Sequence, residues 1–180
     1  AGPMKMFLDR LAFAFHRPQF FGKTWTGIVA QGIFGGGKIV KYLNFVGSGM
    51  GFRTVKGSCL MTCEPIPDKT QAKNDRSLAR QAKRFAATLA GPAFPAASLA
   101  WLAIFRMSRT RIRLLRDPGC RDYTYYAQKG WFQSDFYYPT RLGALKKAVG
   151  AFFDWFAAVT AAGAVRAAGA ARAASPAKAA

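Results

Sequence analysis

The sequence is poor in the residues that build metal centres and disulfide frameworks. It has one histidine, His16, and three cysteines, Cys59, Cys63 and Cys120. An odd, low cysteine count argues against a disulfide framework and fits a reducing, cytoplasmic setting. Cys59 and Cys63 stand four apart with no second ligand pair, so neither a zinc nor an iron–sulfur site is expected. No serine or cysteine pattern recruits His16, which reads as a capping or surface group at a helix end. Acidic residues are scarce as well. Eight Asp and Glu face 27 Lys and Arg, a net charge of +19, and no acid lies between Asp75 and Asp117. Residues 1–67 hold 8 basic and 2 acidic groups, and residues 68–180 hold 19 and 6. Such a field attracts phosphates, acidic lipid or nucleic acid and leaves the fold undecided.

Long apolar runs are also missing. The longest uncharged stretch, Phe85 to Phe105, has 21 residues, close to the roughly 20 that span a bilayer. Gly91, Pro92 and Pro95 interrupt it, and a second stretch, Ala148 to Val165, is cut by Asp154. No membrane-spanning helix is expected. The N-terminal apolar stretch carries Asp9 and Arg10, so it is no signal peptide. What the chain does have is a core. Of its 180 residues 51% are hydrophobic and 14% aromatic, 16 of them Phe, enough for one packed domain.

Pro3 to Phe15 spaces its apolar residues as a helix, ended by Pro18. Thr24 to Ala30 reads as a short buried strand and Gln31 to Gly37 as a glycine loop. Lys38 to Val46 returns to helical spacing, ended by Gly47, Gly49 and Gly51, and Phe52 to Met61 reads as a second strand. This unit, Lys23 to Phe45 with its following strand, predicts a parallel pair. Asp68 reads as the N-cap of a helix over Lys69 to Leu89. Further helices follow at Ser98 to Arg113, Asp122 to Gly130 and Leu142 to Val159. Trp131 to Pro139 is an aromatic connector. From Ala161 onward the chain is alanine-rich and of low complexity, and a frayed tail is expected.

Two parallel strands are too few for a stable open sheet. The first strand presents a bare edge, and the missing strands are expected before Ala1.

Four blocks carry a family resemblance: AGPMKMFLDRLAFAFHRPQFFGK, TGIVAQGIFGGG, KIVKYLNFVGSGMGF and DYTYYAQKGWFQSDFYYP. In this order, from Ala1 to about Val159, the chain resembles the flavodoxin-like NAD(P)H-dependent oxidoreductases of the FMN reductase group. The resemblance implies an α/β fold, a flavodoxin-like three-layer doubly wound parallel sheet of order 2-1-3-4-5. Thr24 to Ala30 would be its fourth strand and Phe52 to Met61 its fifth, with the first three absent. On this reading residues 1–67 are the C-terminal half of that domain. Residues 68–160 are a helical extension with a dimer surface, and residues 161–180 are the tail. The implied cofactor is FMN, with NAD(P)H as reductant and a small electron acceptor such as a quinone. The cofactor carries that chemistry, so no catalytic side chain and no metal ligand is assigned.

The resemblance places Gln31, Gly32, Ile33, Phe34, Gly35 and Gly36 against the flavin ring, with Met4 closing the other side of the pocket. A plain β–α turn, with Met4 in the core, accounts for the same residues. The hydroxyl-rich phosphate loop of the family has no counterpart here. Arg106, Arg109, Arg111, Arg113 and Arg116 form the sharpest basic run. They read either as the solvated face of a packed helix or, with Trp101, Leu102, Ile104 and Phe105, as a peripheral contact to an anionic membrane. Trp131, Phe132, Phe136, Tyr137 and Tyr138 read as core or homodimer packing more readily than as a nucleic-acid stacking platform, and no specific nucleic acid is expected. The rival to the oxidoreductase is a basic, non-enzymatic module binding an anionic membrane surface or nucleic acid through residues 76–116 and the tail.

Overall fold

The computed structural model describes residues 2–174, with side chains through residue 163. They form a mixed α/β protein, about 59% helix with small parallel strand pairs. Two compact units divide the chain, Ala1–Phe94 and Pro95–Ala180. The first unit therefore extends past Pro67, the boundary expected from the sequence, and includes the long helix that follows it.

The first unit opens with α1 (Gly2–Arg10) and a 3-10 turn (Ala12–Phe15). The continuous helix expected to Phe15 stops early. The Leu11 N–H is shared by the carbonyls of Phe7 and Leu8, and the chain tightens into i→i+3 bonding ahead of Pro18. Next come β1 (Thr24–Trp25), β2 (Ile28–Gln31), α2 (Gly36–Gly49), β3 (Arg53–Thr54), β4 (Ser58–Met61) and α3 (Asp68–Ala90). β1 pairs with β3 and β2 with β4, both parallel, as the sequence predicts, with Ile28 opposite Ser58 and Gln31 opposite Met61.

Each expected strand is split in two. At the break Thr26 Oγ1 donates to the Val55 carbonyl at 3.1 Å, and Ser58 N–H donates to the Gly27 carbonyl at 3.1 Å. A side chain and a glycine pair thus carry the strands through a kink that periodicity does not reveal.

Glycines that read as helix stops lie inside α2. A Cβ on Gly47 would sit 2.7 Å from the Trp25 ring and one on Gly49 2.4 Å from Phe15, so both glycines let rings pack against the helix backbone. Leu8, Ala14, Val29, Val40, Leu43, Val46 and Met50 form the core beneath. In α3 the N-cap position belongs to Pro67. Asp68 lies in the first turn without a capping bond, where its charge still favours the helix dipole.

The second unit holds α4 (Leu99–Leu115), α5 (Arg121–Gln128) and α6 (Ala144–Ala174). The Ser98 side chain caps α4 by accepting from Trp101 N–H at 3.3 Å. Phe105 is fully buried, with edge-to-face contacts to Trp131, Phe136 and Tyr137. The aromatic connector is thus core. The frayed tail expected from Ala161 is instead helical to Ala174, as alanine's propensity favours. Residues 175–180 of that expected tail lie outside the described residues. No described helix is long and apolar enough to cross a membrane.

Candidate functional site

β2 ends at Gln31, and the chain turns through Gly32 to Gly35 before α2 begins. The turn therefore stands at the carboxyl end of a parallel strand pair and at a helix N-terminus, where backbone N–H groups lack intrahelical partners. The first of these is satisfied internally: Gly36 N–H donates to Gln31 Oε1 at 2.7 Å. Gly36 has no room for a side chain, since a Cβ would lie 2.4 Å from Cys59 Sγ. Gly35 takes φ +95°, the left-handed region that suits glycine.

Ile33 and Phe34 are 76% and 86% exposed, the most open large apolar side chains described. Gly32 and Gly35 have nothing within 4 Å of a notional Cβ. The loop is therefore an open apolar lip, with bare glycine backbone on either side of its two adjacent side chains. Of the residues predicted to meet a flavin ring, Gly32, Ile33, Phe34 and Gly35 form one surface. Gln31 and Gly36 are engaged with each other. Met4 is half-exposed, one turn before the buried Leu8 of α1.

β2 pairs with β4 alone among the described residues, leaving its other edge without a strand. Beside it Ile28 is 59% exposed. On α2, Ile39, Tyr42 and Phe45 form an exposed apolar stripe at helical spacing.

The arginine run of α4 differs from both sequence readings. Arg106 and Arg109 are buried, their side chains 9% and 8% exposed. Asp154 Oδ2 accepts from Arg106 Nη1 at 2.9 Å and from Arg109 Nη2 at 2.6 Å, and its Oδ1 accepts from Thr110 Oγ1 at 2.6 Å. Arg106 also donates to Asp135 at 2.6 Å. Burial holds the Arg109 guanidinium below its ordinary pKa, against the pull of Asp154. Only Arg111, Arg113 and Arg116 of the run face solvent. The sequence shows Asp154 merely as a charge interrupting an apolar helix; its partners lie more than forty residues upstream.

Burial also pushes the Tyr126 and Tyr137 hydroxyls well above their ordinary value of 10.0, with the Asp122 charge adding to the effect at Tyr126. In the unfolded chain both ionise first. Their contribution to stability is therefore complete below about pH 10 and falls as pH rises through the folded values. In an alkaline titration these two of the six tyrosines should become tyrosinate only together with loss of α-helical signal. Six tyrosines titrating near pH 10 with helix intact would contradict this packing.

Among the described residues no cluster of His, Cys, Asp or Glu suits a metal ion. Comparison with family models, with characterised proteins and with solved structures gives no match. The loop and its surroundings therefore carry the functional argument.

Proposed function

We propose that this chain is the flavin-ring side of a flavodoxin-like oxidoreductase of the cytoplasm. The observation that carries this reading is the bare glycine lip, Gly32 to Gly35, at the carboxyl end of a parallel pair in which β2 has no strand on its other edge among the described residues. In open α/β sheets, ligands bind outside the carboxyl ends of strands. Gly32 and Gly35 let a flat ring approach the backbone, and Ile33 and Phe34 exclude water from its faces. Gln31 fixes the loop by accepting from Gly36, so its role is to hold the lip in shape. These residues fit the ring of FMN and offer nothing for its phosphate. FMN held there would supply the chemistry, hydride uptake from NAD(P)H and electron delivery to a small acceptor such as a quinone. Further strands would pair along β2, helices packed on that sheet face would cover Ile28, and a homodimer would cover the exposed stripe of Phe152, Trp155, Phe156 and Val159 on α6.

The test is a fluorescence titration with lumiflavin, the ring without its ribityl phosphate. Saturable quenching is expected. Gly32→Val adds a branched side chain where the fold has space, and should weaken binding at least about tenfold, or 1.4 kcal/mol. Equal affinity of the two proteins, or no saturable quenching, would overturn the reading.

A further inference from the structure

Helix α3 segregates its charge. Lys73, Ser77, Arg80 and Arg84 recur at intervals of four, three and four, which aligns them on one face over about 16 Å. The same spacing puts Asp68 and Asp75 on the far side, and Asp75 there accepts from Gln71 Nε2 at 2.9 Å. Among the described residues no acid pairs with Lys56, Lys73, Arg80 or Arg84. Unresolved by helix face, the charge of residues 76–116 reads as one field, which hides this stripe.

Two clefts open along this face within the first unit. One, of about 230 Å³, reaches from Gln31 and Met61 to Thr70 and Lys73. The other, of about 180 Å³, is bounded by Lys56, Ser58, Gln81 and Arg84. Ser77 and Arg80 line both.

The groove walls are fixed by hydrogen bonds. Asn74 grips both backbone groups of Met61, donating to its carbonyl at 2.8 Å and accepting from its N–H at 3.2 Å. Ser77 Oγ donates to Ser58 Oγ at 3.0 Å, and Ser58 Oγ to the Ser77 carbonyl at 3.4 Å. Gln81 Nε2 donates to Thr26 Oγ1 and the Gly27 carbonyl at 2.8 and 3.2 Å. These neutral groups direct their donors into the protein, and Gln81 Oε1 remains buried without a partner. The charged donors left for a ligand are those of Lys56, Lys73, Arg80 and Arg84, beside the neutral Gln31 amide and Thr70 hydroxyl, and the serine and threonine oxygens can accept. A ligand that matches must carry an anion and hydroxyl donors together. No aromatic side chain lines either cleft, so nothing there stacks a nucleobase.

We propose that this groove binds the phosphate monoester of a sugar, its phosphate held by Lys56, Arg80 and Arg84 and its hydroxyls lying toward Ser77 and Thr70. The sugar phosphate comes either free or as the phosphoribose end of a nucleotide. Lumiflavin has no phosphate and ribose 5-phosphate has no isoalloxazine ring, so this site and the flavin lip fail or stand separately.

Calorimetric titration of the full chain with ribose 5-phosphate at low salt tests the groove. One-to-one saturable binding is expected, with none for ribose. Arg80→Gln and Arg84→Gln alter exposed side chains and should each weaken binding at least about tenfold. Arg113→Gln, an exposed cation on α4, should leave it unchanged. AMP binding more tightly than ribose 5-phosphate would identify the nucleotide source, and weaker binding the free sugar phosphate. The proposal is overturned by a lack of saturation, by inorganic phosphate binding as tightly as the ester, or by Arg113→Gln weakening binding as much as Arg80→Gln.

Discussion

Gly57→Ala should destabilise the first unit by about 3–5 kcal/mol, combining overpacking with the loss of one or two buried hydrogen bonds. The added methyl would lie 2.2 Å from the Gly27 carbonyl oxygen and 3.0 Å from Val40 Cγ1. A clash with a side-chain tip relaxes by rotation, but the Gly27 oxygen belongs to the neighbouring backbone. The two chains must move apart there. That separation breaks the Ser58 N–H bond to Gly27 at 3.1 Å and disturbs the Gln81 bond to the same oxygen. Both lie at the kink that joins the two short strand pairs. Urea unfolding would register the change. Gly143→Ala, where a Cβ meets nothing within 4 Å, serves as control and should stay within about 0.5 kcal/mol of the parent. Equal midpoints for the two variants would remove the close backbone approach from the account.

Asp154→Ala should destabilise the second unit by a comparable amount, about 3–5 kcal/mol, as expected when one partner of a buried ion pair is removed. Arg106 would keep Asp135, whose side chain is 58% exposed. Arg109 would keep the Ser134 carbonyl and the face of Phe105 but would lose its counter-ion. Gly150 leaves no slack, because a Cβ there would already lie 3.1 Å from Arg106 Nε. Asp135→Ala, at the exposed end of the network, should cost no more than about 1 kcal/mol. Thermal unfolding of both variants distinguishes the roles, and an Asp154→Ala loss no greater than that of Asp135→Ala would show Asp154 is not the hub.

The parts of this fold that the sequence made legible are those governed by local spacing. The order strand, glycine loop, helix, strand follows from Thr24 to Met61, and the parallel pairing follows from that order. The aromatic core around Trp131 was readable from the clustering of Trp131, Phe132, Phe136, Tyr137 and Tyr138. What the sequence concealed depends on residues far apart in the chain. Gly47 and Gly49 look like helix stops until Trp25 and Phe15 are seen lying on them. Arg106 and Arg109 look like solvent-facing charge because Asp154 pairs with them from another helix. The groove on α3 was hidden differently. Its cations show the helical period, but its polar floor at Asn74, Ser77 and Gln81 occupies the face where apolar residues are normally sought.

For the candidate site, the position of the loop was legible and its engagement was not. Gln31, read as a flavin contact, is held by Gly36, whereas Ile33 and Phe34 stand out further than their hydrophobicity suggests. Flavin binding at the glycine lip is tested most directly by the same lumiflavin titration followed by amide resonances. The largest shifts are expected at Gly32, Ile33, Phe34 and Gly35. Saturable binding that shifts other residues and leaves those four in place would contradict it.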